Sequence, residues 1–289
     1  MNEPIVTAAS DRCRRLTVLE SLASASNRRL GSVPLRRWLK RIFHGLIELR
    51  TAGRGLVCRL PGGETVRIAP AYRSMTWNLQ EYRAFKEALR PGAVALDIGA
   101  NLGCYSVLFG QWVGPTGKVF AFEPSPQTFA GLRRHISLNR LSGVVVPVQA
   151  AVSDASGSAA LSDDGVPGTN RLICPAEAAE ARRQLSVATV TVDDFCEREK
   201  IVPDLIKVDV EGLELAVLRG ARRTIRACGD RLKLFVEMHP RTWAELGISQ
   251  DDLQTELEGQ GLTASALDGG ALLWSVEGIC VRLTASRGA

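Results

Sequence analysis

No stretch of this 289-residue chain reaches the roughly 18 uninterrupted apolar residues that a membrane span requires, and residues 1–30 lack the apolar core of a secretory signal. Both absences lead to the expectation of a cytoplasmic protein. Cysteine is sparse and spaced wrongly for chemistry. The seven residues at 13, 58, 104, 174, 196, 228 and 280 stand singly with no CxxC, which speaks against a zinc site and against a disulfide framework. They read as small buried hydrophobes. The body of the chain also lacks a basic excess. Residues 1–50 hold ten Lys or Arg against four Asp or Glu, a net of +6, so the remaining 239 residues net −1 within the total of +5. Charge of that kind excludes a nucleic-acid partner for the body of the chain. Histidine is scarce as well, with three residues at 44, 135 and 239.

What is there divides into three parts. Residues 1–33 are polar and rich in Arg, Ser and Ala, and are expected to form a loosely held basic end. Residues 34–76 form an appendage. Leu35, Trp38, Leu39, Ile42, Phe43, Leu46 and Ile47 share one helical face and Arg36, Arg37, Lys40, Arg41 and His44 the other. Such a helix either covers the main domain or lies, through residues 35–47, on an anionic membrane surface or on a partner. Alternation over 56–69 around Pro61-Gly62-Gly63 then signals a hairpin. From residue 77 to 289 strand and helix patterns alternate, which predicts an α/β domain with a doubly wound, mostly parallel sheet and ligands at the carboxyl ends of its central strands. An irregular insert over 155–186, with Asp163-Asp164-Gly165, Gly168-Thr169-Asn170 and a helical stretch near 176–184, reads as a lid or as a plain surface excursion.

The most informative stretch is Val94-Ala95-Leu96-Asp97-Ile98-Gly99-Ala100-Asn101-Leu102-Gly103, a buried strand that stops at an acid and turns through two glycines into a helix. Gly99 and Gly103 would let backbone approach a ligand where a side chain would collide. A second strand ends in Glu123-Pro124, placing an acid where a ribose diol is held. A dinucleotide site cradles a pyrophosphate, which Asp97 would repel. The same acid could order the amino group of S-adenosylmethionine, directly or through water, so this methyl donor is the expected cofactor.

Two further strand ends carry acids. Asp209 and Glu211 follow the strand 205–208, where they would bind a hydroxyl, accept its proton or hold a divalent metal. A helix-capping role for Glu211-Gly212 is the alternative. Beyond the next strand stand Glu237 and His239, a carboxylate beside an imidazole that, if neutral, could take the proton of an acceptor hydroxyl. Asp209, Glu211 and Glu237 offer oxygen ligands to magnesium, but their spacing equally fits a site in which they orient hydroxyls, and no metal is expected. Asp193-Asp194 read as the cap of the helix that runs to Lys200.

Together, Asp97-Ile98-Gly99-Ala100-Asn101-Leu102-Gly103, Phe122-Glu123-Pro124, Thr191-Val192-Asp193-Asp194-Phe195, Lys207-Val208-Asp209-Val210-Glu211-Gly212 and Val236-Glu237-Met238-His239 resemble the FkbM family of S-adenosylmethionine-dependent O-methyltransferases over about residues 78–265. The resemblance implies the seven-stranded class I methyltransferase fold and hydroxyl acceptors, often on saccharides or glycosylated natural products. It also implies contacts of Asp97, Gly99, Asn101 and Gly103 with the methionine end and of Glu123 with the ribose. The loop from Ala150 through Ala151 to Asp154 would meet the adenine. Nothing carries over to residues 1–50. The reading from sequence is therefore an O-methyltransferase acting on a saccharide or glycoconjugate. Methylation of a polyketide hydroxyl and a non-catalytic donor-binding scaffold are its alternatives.

Overall fold

The computed structural model describes residues 4–5, 8–9, 49, 51–72, 75–162, 172–173, 184–272 and 274–286. The amphipathic helix read over 35–47 and the turns at 163–165 and 168–170 lie outside these residues. The helix read near 176–184 also lies outside them, except for residue 184, which begins a strand.

Seven strands make the central sheet: β1 (Val94–Ile98), β2 (Lys118–Phe122), β3 (Val145–Val148), β4 (Leu205–Val208), β5 (Lys233–Met238), β6 (Leu262–Ala266) and β7 (Ile279–Ala285). Their order is β3-β2-β1-β4-β5-β7-β6. β7 runs antiparallel to both neighbours and the other pairings are parallel. The order reverses between β1 and β4, so the crevice for a ligand opens beyond Ile98 and Val208.

Helices cover both faces. On one side lie α1 (Leu79–Ala88), α2 (Cys104–Val113) and α3 (Pro126–Leu138), contributing Phe85, Phe109 and Leu132 to a core shared with Ala95, Val119 and Phe235. On the other lie α4 (Val192–Glu199), α5 (Glu214–Arg219), α6 (Arg222–Cys228), α7 (Pro240–Glu245) and α8 (Gln250–Gly259). Phe195, Ile225, Trp243 and Leu253 from these helices pack on Leu96, Ile98 and Val208. Alternate residues of a strand thus feed opposite cores, and this period of two decides where the charged side chains of β1, β4 and β5 point. Local signals start the helices: Asn78 accepts hydrogen bonds from the amides of Gln80 and Glu81, and Ser125 caps α3 with Pro126 at its first turn. α4 is capped by Thr191, which accepts from Asp194 N. Asp193 and Asp194 lie in its first turn, and Asp193 accepts from the amides of Arg223 and Thr224 in α6.

The hairpin of Leu56–Arg59 and Thr65–Ile68 docks on α3. Asn139 accepts from Arg67 N and donates to Arg67 O, both at 2.8 Å, so its amide stands in for a neighbouring strand. His135 is buried, accepts from Ala69 N at 3.0 Å through Nε2 and donates to Leu102 O through Nδ1. Burial holds its pKa below the usual 6.5. A depressed value means that His135 contributes stability above about pH 6.5, which is lost as acid charges the ring. Thermal melts across mildly acidic pH should therefore show a destabilisation that His135→Gln reduces.

The amino-terminal residues add to these edges. Pro4–Ile5 pairs with Trp77–Asn78 and Ala8–Ala9 pairs with the hairpin strand Leu56–Arg59. Parts of the end expected to be loosely held are thus strands. The insert differs from expectation too. Its flanks, Gly157–Ser162 and Gln184–Val190, form an antiparallel ladder joined by Leu172–Ile173 and Ala151–Val152, with Leu161, Val187 and Ala151 packed together. Among the described residues no helix is long and apolar enough to cross a membrane.

Candidate functional site

A cleft opens at the carboxyl ends of β1, β2 and β4, where a doubly wound sheet places its ligand. Gly99, Asn101, Glu123, Pro124, Ala151, Asp209 and Glu211 all line it, together with apolar Phe122, Val152 and Leu161. Five residues named from sequence are not in its lining: Asp97, Gly103, Asp154, Glu237 and His239.

Glu123 is buried and spans the turn, accepting from Asn101 N at 3.0 Å and Ser125 N at 2.9 Å. Each oxygen keeps a lone pair that a diol could use. Burial pushes its pKa up to about 7 against those two amide bonds. Asn101 takes a left-handed backbone at φ 50°, and its buried Oδ1 has no hydrogen-bond partner. An orphaned buried acceptor beside a cavity is what a ligand donor would satisfy.

The two glycines serve the protein's own packing. At Gly99 a Cβ would lie 1.7 Å from the Asp209 carbonyl oxygen, so β1 and β4 approach at that point too closely for any side chain. At Gly103 it would lie 2.6 Å from Leu132 Cδ1, so this glycine seats α2 on α3. Gly99 also lines the cavity, as expected of a glycine that meets a ligand, whereas Gly103 is not in its lining. Asp154 is exposed, and its nearest polar partner is Ser153 Oγ at 3.2 Å.

Asp97 sits one layer below the cavity. Only 1% exposed, it accepts from Ser106 Oγ of α2, and its Oδ1 lies 3.7 Å from Lys207 Nζ. The register pairs Asp97 with Lys207, and the period of two turns both toward α2. Lys207, 3% exposed, reaches Asp209 Oδ2 at 3.1 Å and stands over the Tyr105 ring at 5.6 Å. Burial opposes its charge, but Asp209 and Asp97 hold its pKa above the usual value. Asp97 thus faces an internal cation, and its buried Oδ1 has no hydrogen-bond partner. Sequence reasoning quoted Lys207 without a role. The available signal was a lone cation inside an apolar strand, beside an acid in the adjacent one.

At the far rim lies His239, 5% exposed, at the start of α7. Its Nδ1 is 2.8 Å from Oε1 of Glu214, a fully buried carboxylate that also accepts from Trp243 Nε1 and from Gly212 N. Glu214 is a second residue missed from sequence, where it read as part of an ordinary helix face. Nε2 faces Glu211 Oε2 at 3.7 Å, Glu237 Oε1 at 3.8 Å and Asp209 Oδ1 at 3.9 Å. Desolvation opposes the imidazolium, but the Glu214 hydrogen bond and the charges of Glu214, Asp209 and Glu211 hold the pKa at about 9. These carboxylates favour the imidazolium over the neutral base read from sequence, and Asp209 and Glu211 stand beside it as further groups able to accept a proton. Glu237 differs again, because burial and the nearby Asp209 and Glu81 charges raise its pKa and favour the neutral acid.

Glu211 has φ 52° and does not cap α5, whose N-cap Leu213 makes no side-chain capping bond. A non-glycine residue held in the left-handed region costs about 1 kcal/mol or more, and this one is held where it faces the imidazole. Gly212 follows at φ 104°, where a Cβ would lie 2.4 Å from Thr242 Cγ2. The turn is thereby clamped between β4 and α7.

The sequence profile described as the methyltransferase FkbM domain matches residues 97–261. Hexuronic acid methyltransferase AglP of Haloferax volcanii is 26% identical over 195 residues, covering 63% of this chain and 74% of that protein. The 31-O-demethyl-FK506 methyltransferase FkbM of Streptomyces tacrolimicus is 41% identical over 105 residues, covering 34% of this chain and 39% of that one. Among solved structures, a precorrin-6y C5,15-methyltransferase from Geobacter metallireducens aligns at TM-score 0.43 and 14% identity, covering 76% of this chain and 94% of its own.

Proposed function

The chain belongs to the FkbM family of S-adenosylmethionine-dependent methyltransferases, and from that premise we propose that it methylates a hydroxyl of a saccharide or glycoconjugate. One observation carries the reading: Asp209 and Glu211 belong at once to the wall of the donor cavity and to the cluster around His239. A methyl donor in that cavity would present its reactive end beside groups able to orient a hydroxyl and take its proton.

The chain's residues divide the work. Glu123 holds the ribose diol, the apolar wall of Phe122, Val152 and Leu161 takes the adenine, and the turn of Gly99 and Asn101 receives the methionine end. Lys207 fixes Asp209. His239 neutralises the carboxylates that face the acceptor, and Asp209 or Glu211 accepts its proton. The sulfonium supplies the leaving group for in-line transfer. Incubating the protein with labelled donor and, separately, neutral glycolipids, oligosaccharides and a macrolide tests the reading. Label on the saccharides supports it, label on the macrolide alone replaces the acceptor class, and label on none of them with intact donor binding leaves the scaffold.

Donor affinity should also depend on pH through Glu123. Ribose hydroxyls donate to the ionised carboxylate, so binding favours the charged form of a group that titrates near 7 in the free protein. Affinity should rise with pH and level off above about 7, falling by at most ~10-fold per unit below it. Calorimetry on Glu123→Gln should show weaker binding by roughly 1–3 kcal/mol and a flat profile. A slope retained in the variant would place the ribose elsewhere.

A further inference from the structure

The geometry points to a divalent-cation site formed by Asp209, Glu211 and His239, suited to manganese, cobalt, iron or zinc in preference to magnesium or calcium. Its purpose, though not its existence, rests on the proposed hydroxyl methylation.

The first support is the environment of His239 Nε2. The imidazole is 95% buried by its 5% exposure, and its inner nitrogen is committed to Glu214. Its outer nitrogen is ringed by carboxyl oxygens at 3.7, 3.8 and 3.9 Å, and none is within hydrogen-bond reach. A single N–H donor would draw one acceptor to about 2.8 Å and leave the others. Near-equal separations instead leave room for one central cation. Ligands about 2.0–2.3 Å from such an ion stand some 3–4 Å apart, which is the spacing seen between Nε2 and the nearest oxygens of Glu211 and Asp209.

The second support is the layer behind the ligands. Metal-binding imidazoles commonly donate their other N–H to a carboxylate, which fixes the ring and its tautomer, and Glu214 does this for His239. Asp209 is held in the same manner. Its Oδ2 is taken by Lys207, and its Oδ1 is left facing the cluster. Glu211 is brought in by the left-handed turn ahead of Gly212. One imidazole and two carboxylates form a mixed nitrogen and oxygen set, favoured by first-row transition metals over magnesium, which prefers oxygen alone. This runs against the metal-free site expected from sequence. The position adjoins the donor cavity through Asp209 and Glu211, where a bound cation would hold an acceptor oxygen.

Binding can be tested without any acceptor. The full chain, stripped with EDTA and dialysed, is titrated with manganese followed by electron paramagnetic resonance, and with cobalt followed by its visible absorption. One saturable site is expected, with a cobalt spectrum of nitrogen and oxygen ligation. Glu211→Gln and His239→Asn should each weaken it at least ~10-fold, with circular dichroism confirming the fold. Glu277→Gln, which alters a neighbouring acid outside the set, should leave it unchanged. No saturable binding at millimolar metal, or equal binding in both ligand variants, would overturn the site. Because no methyl transfer enters the readout, metal binding without turnover would count against the proposed reaction alone. Turnover undiminished in EDTA with no metal bound would count against the site alone.

Discussion

Replacing His239 with alanine should lower turnover by about 10²–10⁴-fold while leaving donor affinity close to that of the wild type. The asymmetry follows from position. His239 is absent from the lining of the donor cavity, so its loss removes no contact there. Its Nε2 stands opposite Asp209 and Glu211, which hold and deprotonate the acceptor in the proposed reaction. Without the imidazole that they face, Asp209 and Glu211 lose the group that frames them, and the acceptor loses its alignment. Orientation and proton transfer then fail together. Steady-state kinetics with calorimetry for the donor decide the matter. Comparable losses in turnover and donor binding would make His239 a structural residue, and an unchanged turnover would move the acceptor site away from it.

The second large effect concerns stability. Glu214→Ala should destabilise the protein by about 3–5 kcal/mol, because it strips a partner from three donors at once in a site without solvent. Trp243 Nε1, His239 and Gly212 N all converge on this carboxylate, which is fully buried. A loss of that size corresponds to a melting temperature lower by roughly 6–20 °C for a domain of 150–250 residues. Glu214→Gln keeps the shape and a carbonyl oxygen and should lose less. Differential scanning calorimetry of the two variants provides the comparison. A small change in the alanine variant would mean that water reaches the pocket and replaces the carboxylate.

Much of this architecture is legible in the chain because its signals are local. The alternation after residue 93, the turn after Ile98 and the acids at four strand ends announce a doubly wound sheet, and Glu123 and Asp209 lie at its mouth. What escapes reading is set by which face a residue takes and by partners far away in sequence. Asp97 reads as a ligand group because it ends an apolar run. It turns toward α2 instead, where Lys207, 110 positions on, is its register partner across the sheet. Glu214 gives no warning, since it opens a helix whose following residues look ordinary, and its importance comes from Trp243 and His239, 29 and 25 positions later. The strand Gly157–Ser162 is hidden for another reason. Its small residues have weak strand preference, and pairing with Gln184–Val190 creates the strand.

The contact between Gly99 and the Asp209 carbonyl has a practical meaning for anyone wishing to redirect the enzyme toward new acceptors. In the proposed reaction one of these peptides shapes the donor turn and the other carries the acceptor acid, and the two rest on each other with no room for a side chain between them. Diversifying libraries that include position 99 or 209 would disturb both substrates together, and selection for a new acceptor there would be confounded by lost cofactor. The antiparallel ladder of 157–162 and 184–190 meets the cavity through Leu161 alone, on the wall proposed for the adenine, so changes elsewhere in it leave that seam intact.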